Sequence, residues 1–556
     1  MNTLSQFIQL IRPYWLRPKQ WLAWLLLFGT LSASLAIVQI SVLINEWNKA
    51  FYDALTAFQT ELILPLMWQY LGYIAIVVLL ITAGNWLRKL LLIRWRTHLT
   101  RELEQQWLVR HRLYGIAKQQ IVDNPDQRIT QDSYLLAEKS IDLVKYFCMN
   151  VAKIIAFVGI LWQLSGIQHI QLGGIELTIQ GYLVWLALIY TAICSLLTHG
   201  IGRKLKPLNV EKEKAEATYR SSLIRINDNA EQIAFYDGEK TEQQRLIAHF
   251  NHIVRNWHAL MAREFKLESF SAAYLRITML IPVFAVLPLY LIKAITFGAM
   301  MQARSAFSSV QDGFGWFMDF YKQIMEWAAA VQRLSEFKQS LNALTKNENA
   351  IIQQGQQLQC EQVQAYLSPT QPLFQPVNLR LMPGQWLQLQ GDSGVGKSTF
   401  LRILAGLWQD YQGTVILPVG KICFVPQKAY LAKDRLANVL CYPQTAVKNA
   451  AVFCRILTAV GLPHLIDELE QEKDWGQVLS GGEQQRIAFA RLLLNQPDFI
   501  CMDESTNQLD ILSARYLLNL LRQMLPNCTL IAITHQPELN ELFEQQVELI
   551  KISEGT

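Results

Sequence analysis

Residues 391–399 combine three glycines, a lysine and two adjacent hydroxyls: Gly391, Asp392, Ser393, Gly394, Val395, Gly396, Lys397, Ser398 and Thr399. The run fits G-x-x-x-x-G-K-[ST], the P-loop. Glycines let the backbone wrap closely round phosphates so that its N–H groups point at the anion. Residues 385–390 alternate like a strand before the loop, and residues 400–405 begin a helix behind it. The N-terminus of that helix adds the positive end of its dipole. Lys397 is expected to reach the β- and γ-phosphates of ATP, and Ser398 to ligate Mg²⁺.

Further motifs downstream supply what a phosphate cradle alone lacks. Residues 499–502 are apolar and end in two acids, Asp503 and Glu504. The pattern is a buried strand delivering carboxylates, with Asp503 to hold Mg²⁺ and Glu504 as the base that polarises an attacking water. Leu479-Ser-Gly-Gly-Glu-Gln-Gln-Arg486 places Ser480, Gly481 and Gly482 at the start of a helix over 483–495, a second anion-binding N-terminus. A strand over 530–534 ends at His535, about 30 residues beyond Glu504, and Gln427 follows Phe424-Val-Pro426 about 30 residues after the P-loop.

The Leu479–Arg486 run resembles the signature motif of the ABC ATPases, and that resemblance implies the remaining roles. Gln427 then touches Mg²⁺ or the attacking water and reports to the membrane domain. Ser480, Gly481 and Gly482 bind the γ-phosphate of an ATP held by another chain's P-loop. The run from Asn507 to Asp510 is similar to the D-loop at a dimer seam, and His535 matches the switch histidine that contacts the γ-phosphate. Tyr366, in Ala365-Tyr-Leu-Ser-Pro369, is the candidate aromatic for stacking on adenine, although Ser368 occupies the position just before the proline. One P-loop and one signature per chain require a second chain, expected to be another copy.

Composition says where this machinery sits. Of the 556 residues 51% are hydrophobic and 17% charged, below the globular average of about 25% charged. Apolar runs crowd the first 320 residues, which indicates a membrane-resident half. A net charge of +5 gives no case for nucleic acid. The eight cysteines form no C-x-x-C pair, and six lie in the nucleotide-binding half, so they read as reduced packing residues. The first apolar run is long and no small-residue cleavage site follows it, so no cleavable signal peptide is expected.

Residues 20–45 carry no charge, longer than the roughly 20 residues that cross a bilayer. Arg12, Arg17 and Lys19 precede that span and place the N-terminus in the cytoplasm. A second uncharged run covers 62–87 and is followed by Arg94, Arg96, Arg101, Arg110 and Arg112. A third span follows Lys153. Residues 167–177, without Lys or Arg, face outward before a fourth span over about 178–197. A fifth lies near 277–291 and a sixth near 294–317, the latter interrupted by Arg304 and Asp312. The charged, helix-prone segments between spans 2 and 3 and between spans 4 and 5 suggest helices that continue into the cytoplasm. The expected organisation is a six-span α-helical membrane domain of ABC exporter type over 1–341, a polar linker over 342–357, and an α/β nucleotide-binding domain over 358–556.

Nearly the whole chain resembles the bacterial BacA-related ABC half-transporters and, more distantly, the peroxisomal acyl-CoA half-transporters of ABC subfamily D. The resemblance rests on residues 123–129, on 229–238 with its Phe235-Tyr236 pair, on Leu404-Ala-Gly-Leu-Trp408, and on Asp474-Trp475 before the signature. It implies an exporter-fold homodimer in a bacterial inner membrane, its ATPase in the cytoplasm, moving a hydrophilic or amphipathic cargo such as cobalamin or peptide-like molecules. A long-chain acyl carrier of the same group is the alternative. An ATP-gated channel or regulatory subunit is a further reading, against which intact Glu504 and His535 weigh. Two local expectations follow. Residues 123–132 and 229–238 should dock on nucleotide domains, the first as a rigid Asn-Pro elbow. Arg304, Ser308 and Gln311, at i, i+4 and i+7 with Asp312 beside them, should form a polar stripe along the pathway.

Overall fold

The computed structural model of the chain describes residues 3–109, 112–119, 124–165, 167–172, 175–346, 353–368, 371–444 and 449–552. They form two compact units, one from residues 1–105 and 124–338, the other from 106–123 and 339–556.

The first unit is helical because backbone polar groups in hydrocarbon must find partners within their own segment. A short helix, Thr3–Trp15, precedes the long helices Trp21–Thr56 and Thr60–Trp107. Ser133–Ser165 and Tyr182–Gly202 flank an antiparallel hairpin of Ile167–Leu172 with Ile175–Gln180, in the loop expected to face outward. Leu205–Asp228, the short Ala230–Phe235, Glu239–Leu291 and the helix Phe297–Lys346 as far as residue 338 complete the unit. Among the described residues four helices are long and apolar enough to cross a membrane, lying within Pro18–Thr56, Thr60–Trp107, Pro125–Ser165 and Glu239–Leu291, with Tyr182–Thr198 a shorter apolar stretch. The last long helix, which carries Arg304 and Asp312, is outside that group. Glu239–Leu291 has 53 residues. At 1.5 Å per residue that is about 80 Å, against roughly 30 Å of hydrocarbon, so the helix extends far beyond the bilayer.

Polar ties join the spans, as expected where the hydrophobic effect between helices is absent. Asn45 Nδ2 donates to the Gln302 carbonyl at 3.1 Å, and Arg88 pairs with Asp142 at 2.8 Å. Lys153 Nζ lies 3.1 Å from Asp312 Oδ2. These contacts correct the expected stripe. Gln311 is only 3% exposed, and its amide donates to the Tyr274 hydroxyl and to Thr278 Oγ1. The exposed polar positions are Arg304, Ser308 and Asp312, spaced i, i+4 and i+8. A helix turns 3.6 residues per turn, so residue 312 continues the 304–308 row while 311 rotates into the packing against Glu239–Leu291.

Within the single chain, the Asn-Pro elbow is anchored among the membrane helices. Residues 124–132 group with the membrane unit. There Asp132, fully buried, receives Arg128 at 3.0 Å and a fork from Arg333 at 2.9 and 2.5 Å, while Ile129 is buried beside it. A buried carboxylate between two guanidiniums fixes the segment where it is. The preceding helix, Arg112–Gln119, is the part that groups with the second unit. Its Ile116 is buried and Lys118 Nζ sits 3.2 Å above the Trp408 ring.

The second unit carries a five-stranded parallel sheet in the order Gln545–Glu548, Trp386–Gln390, Thr529–Ile533, Phe499–Asp503, Ile422–Val425. Beside it lies a mostly antiparallel sheet built on Leu358–Ser368 and Tyr411–Pro418. Helix Phe297–Lys346 runs into the segment expected to be linker, and Gln353–Gly355 already pairs with Tyr411–Pro418. The alternation over 385–390 suggests one wet face, yet Trp386–Leu389 are all buried. Parallel strands are covered on both faces. Gln388 is accommodated there by donating to Asn540 Oδ1 at 2.8 Å.

Candidate nucleotide site

The parallel register assembles the site. Asp503 pairs with Ile533, and Met502 with Val425. The chain therefore leaves three neighbouring strands at the same edge, where ligands of open α/β sheets bind. Glu504, Gln427 and His535 are the residues that emerge. Gln427 Nε2 donates to Glu504 Oε2 at 2.9 Å, and His535 Nε2 lies 3.1 Å from Glu504 Oε1. Asn507 Nδ2 donates to Glu504 Oε2, also at 2.9 Å. Asn507 is expected only in the D-loop, yet its position three residues after Glu504, in a turn closed by Asn507 N–H donating to the Glu504 carbonyl at 3.2 Å, brings its amide to the carboxylate. Glu504 has φ +50°, the left-handed region, which costs a residue with a Cβ about 1–2 kcal/mol. The backbone is held there by Glu504 N–H donating to the Ile533 carbonyl at 3.1 Å.

The P-loop joins Trp386–Gln390 to the helix Lys397–Leu404. Gly391 has φ +135°, and a Cβ there would sit 2.6 Å from the Leu549 carbonyl, so only glycine fits. Gly396, at φ +111°, caps the helix. Asp392, Ser393 and Gly394 are exposed, Val395 and Thr399 buried. Lys397 Nζ donates to the Gly391 carbonyl at 2.6 Å and the Asp392 carbonyl at 3.2 Å, which holds the ammonium over the loop. Ser398 Oγ donates to Asp503 Oδ1 at 2.9 Å. Burial raises the Asp503 carboxyl above its ordinary value, opposed by the Ser398 hydrogen bond and reinforced by the Glu504 charge. A half-buried acid beside a hydroxyl is a hard-oxygen pair suited to Mg²⁺, with phosphate oxygens and water to complete the shell.

Ser480 caps the helix Gly481–Asn495 in a capping box with Glu483. The Ser480 N–H donates to Glu483 Oε2 at 2.9 Å, and the hydroxyl donates to the same oxygen at 2.8 Å. These bonds, the hydroxyl's first, pull the Glu483 carboxyl below its ordinary range. Ser480 is exposed, with Gly481 and Gly482 beside it half-buried. Asp510 caps Ile511–Met524 by accepting from Ser513 N–H at 2.9 Å. Tyr366 is half-buried, its hydroxyl within 2.9 Å of Gln364 Oε1 and 3.1 Å of Gln412 Oε1.

A phosphate loop, a signature-type helix start and a ringed glutamate on one sheet edge, joined in sequence to a bundle of long apolar helices, define the class. The family model described as ABC transporter transmembrane region 2 matches residues 10–291, and the ABC transporter model matches 374–507. The chain belongs to the ABC transporters, as an ATP-driven half-transporter with permease and ATPase fused. Within them it is similar to the inner membrane ABC transporter ATP-binding protein YddA of Escherichia coli (strain K12), 34% identical across 96% of this chain and 95% of the relative. It is also similar to the lysosomal cobalamin transporter ABCD4 of Mus musculus, 26% identical across 81% and 79%. Its fold matches a bacterial Atm1-family ABC exporter solved with ATP bound, with a TM-score of 0.75 over 94% of each chain at 16% identity.

The protein is thus an integral membrane ATPase whose transport half and ATP-binding half lie in one chain. Its eight cysteines are all free thiols. Burial pushes Cys360 and Cys528 up to about 12, as befits packing residues.

Proposed function

We propose that two copies of this chain pair in a bacterial inner membrane and couple ATP hydrolysis to movement of a hydrophilic or amphipathic compound. The observation that carries the reading is the ring of Gln427, Asn507 and His535 around Glu504. Three side chains converging on one carboxylate orient a base for a water attacking the γ-phosphate. Asp503 and Ser398, with Gln427 near them, would hold Mg²⁺, which supplies charge neutralisation on the phosphates when bound. Lys397 and the P-loop amides would position the phosphates, and Tyr366 is our choice to face adenine. Ser480, Gly481 and Gly482 would meet ATP bound to the second copy, with Asp510 at the seam. For Ser480 to donate to a phosphate, its hydroxyl must turn from Glu483. An intact Glu504 ring supports turnover over a gating-only role. Residues 1–341 would do the membrane work and 358–556 the ATPase, with 342–357 joining them through the end of helix Phe297–Lys346 and the strand Gln353–Gly355.

In the dimer we assign the exposed ends of residues 229–238 to docking. Phe235 is 78% exposed and Tyr236 86%, two aromatic rings presented on a turn between long helices. For cargo, the row Arg304, Ser308 and Asp312 supports a wet pathway, since charges inside a bilayer face protein or water. The likeness to a protein named as a cobalamin transporter supports a polar compound of similar kind. Uptake should be measured in inside-out vesicles and right-side-out cells with labelled cobalamin, a peptide antibiotic and an acyl-CoA. ATP-dependent movement of either polar probe is expected. Movement of acyl-CoA alone would replace this cargo reading with an acyl carrier.

A further inference from the structure

At the positively charged end of the first two spans, the structure has a cavity of about 350 Å³. Tyr14 and Gln20 line it from the N-terminal segment, and Arg94, Thr97, His98 and Arg101 line it from the helix Thr60–Trp107. Residues 94, 98 and 101 stand at i, i+4 and i+7, so three nitrogen-bearing side chains share one helical face. Arg94 and Arg101 are exposed and make no hydrogen bond or ion pair with any described residue. Glu102, which faces His98 at 3.6 Å, is already engaged by Lys338 at 2.8 Å. Among the described residues no acid forms an ion pair with either guanidinium.

An independent observation comes from Tyr14. Its side chain is 2% exposed, and its hydroxyl has no hydrogen-bond partner among the described residues. Buried polar atoms are rarely left so, and an orphan beside a polar cavity points to a missing acceptor. Burial also raises the phenol above its ordinary value, so at neutral pH the hydroxyl is a donor. The cavity lies against an aromatic cluster. Trp15 meets Trp24 at 5.0 Å and Trp95 at 5.3 Å, edge to face, and Tyr14 stacks on Trp95 at 6.1 Å. Tryptophans gather at the headgroup level of a bilayer, where one edge is apolar and the other wet.

We propose that this cavity binds a phosphate ester anion, held by Arg94 and Arg101 with the Tyr14 hydroxyl donating to it. Its depth at the tryptophan level makes the headgroup of an anionic phospholipid the source the position favours. A headgroup seated there bridges the N-terminal helix Thr3–Trp15 and the second span. It attaches the start of the chain to the bilayer surface through lipid as well as protein. A soluble phosphate has the same chemistry, and the test separates the two.

The full-length protein is purified in phosphatidylcholine nanodiscs containing a minor fraction of phosphatidylglycerol, and lipid retained after detergent release is counted by native mass spectrometry. Phosphatidylglycerol should be retained over phosphatidylcholine. Arg94→Ala with Arg101→Ala should reduce that preference about 30-fold, as expected for two cations near an anionic surface. Arg94→Lys with Arg101→Lys should restore part of it. Tyr14→Phe, which keeps the ring, should weaken it by a smaller factor. Melting temperature in pure phosphatidylcholine identifies any variant that has merely misfolded, and for such a variant the lysine pair decides. In a parallel arm, millimolar inorganic phosphate is titrated against thermal stability. Protection by inorganic phosphate without lipid preference would assign the site to a soluble anion. Equal retention of both lipids in wild type together with no phosphate effect, or wild-type preference in the folded double-alanine variant, overturns the proposal.

Discussion

Glu504 receives Gln427, Asn507 and His535 on its two oxygens and sits in a backbone conformation unusual for a residue with a side chain. That strain and convergence have a use if the carboxylate is the base. Glu504→Gln keeps the shape and removes the charge. It should still bind ATP, and its hydrolysis should fall about 10²–10⁴-fold. Near-normal turnover would move the base to another group. At the signature, the Ser480 bonds hold Glu483 below its ordinary 4.5. A depressed acid contributes stability that is complete above the unfolded value and is lost as pH falls through the lower folded value. Melting temperatures of wild type should therefore drop more steeply than those of Glu483→Gln between about pH 6 and pH 3.5. Parallel curves would show that the capping box does not depend on that charge.

On Phe297–Lys346, Arg304, Ser308 and Asp312 are exposed, whereas Gln311 and Phe307 are buried. Cysteines at 304, 308 and 312, in a background without native cysteine, should react with a membrane-impermeant thiol reagent, and those at 307 and 311 should not. Uniform labelling would mean that the segment has left the membrane, and uniform protection that it is packed all round. The helix Arg112–Gln119 groups with the second unit, where Lys118 lies over Trp408, and its Ile116 is buried. Burial lowers the Lys118 ammonium below its ordinary value. A cation over an indole contributes about 0.5–1 kcal/mol at a partly exposed site. Lys118→Ala should therefore speed amide hydrogen exchange in residues 112–119 about two- to fivefold. Unchanged exchange would show that the cation over the indole does not hold the helix.

At the scale of the assembly, each chain has one P-loop and one signature-type helix start. If ATP lies between them across two copies, Lys397→Ala and Ser480→Arg each spoil both sites of their own homodimer. Co-reconstituting the two variants should regenerate one intact site in the mixed dimer, so ATPase activity should rise on mixing. Wild-type rates in either parent homodimer would remove the composite-site reading.

The chemistry was legible in the sequence because it is carried by local runs whose spacing is set by short-range backbone geometry. Residues 391–399 must be a glycine turn entering a helix, and 499–504 must be an apolar strand ending in acids. The spans were legible for a similar reason, since a bilayer demands about 20 uncharged residues in a row. Which side chains meet was a matter for the tertiary structure. Asn507 reached Glu504, Gln388 was buried by a parallel sheet, and Gln311 was turned inward to Tyr274 and Thr278. The elbow at 124–132 was held by Arg333, some 200 residues away. The pairing of Tyr14 with a face of the second spanning helix is of the same kind. Such contacts depend on helix rotation and strand register across distant segments, and a one-residue change in either reverses which face is buried.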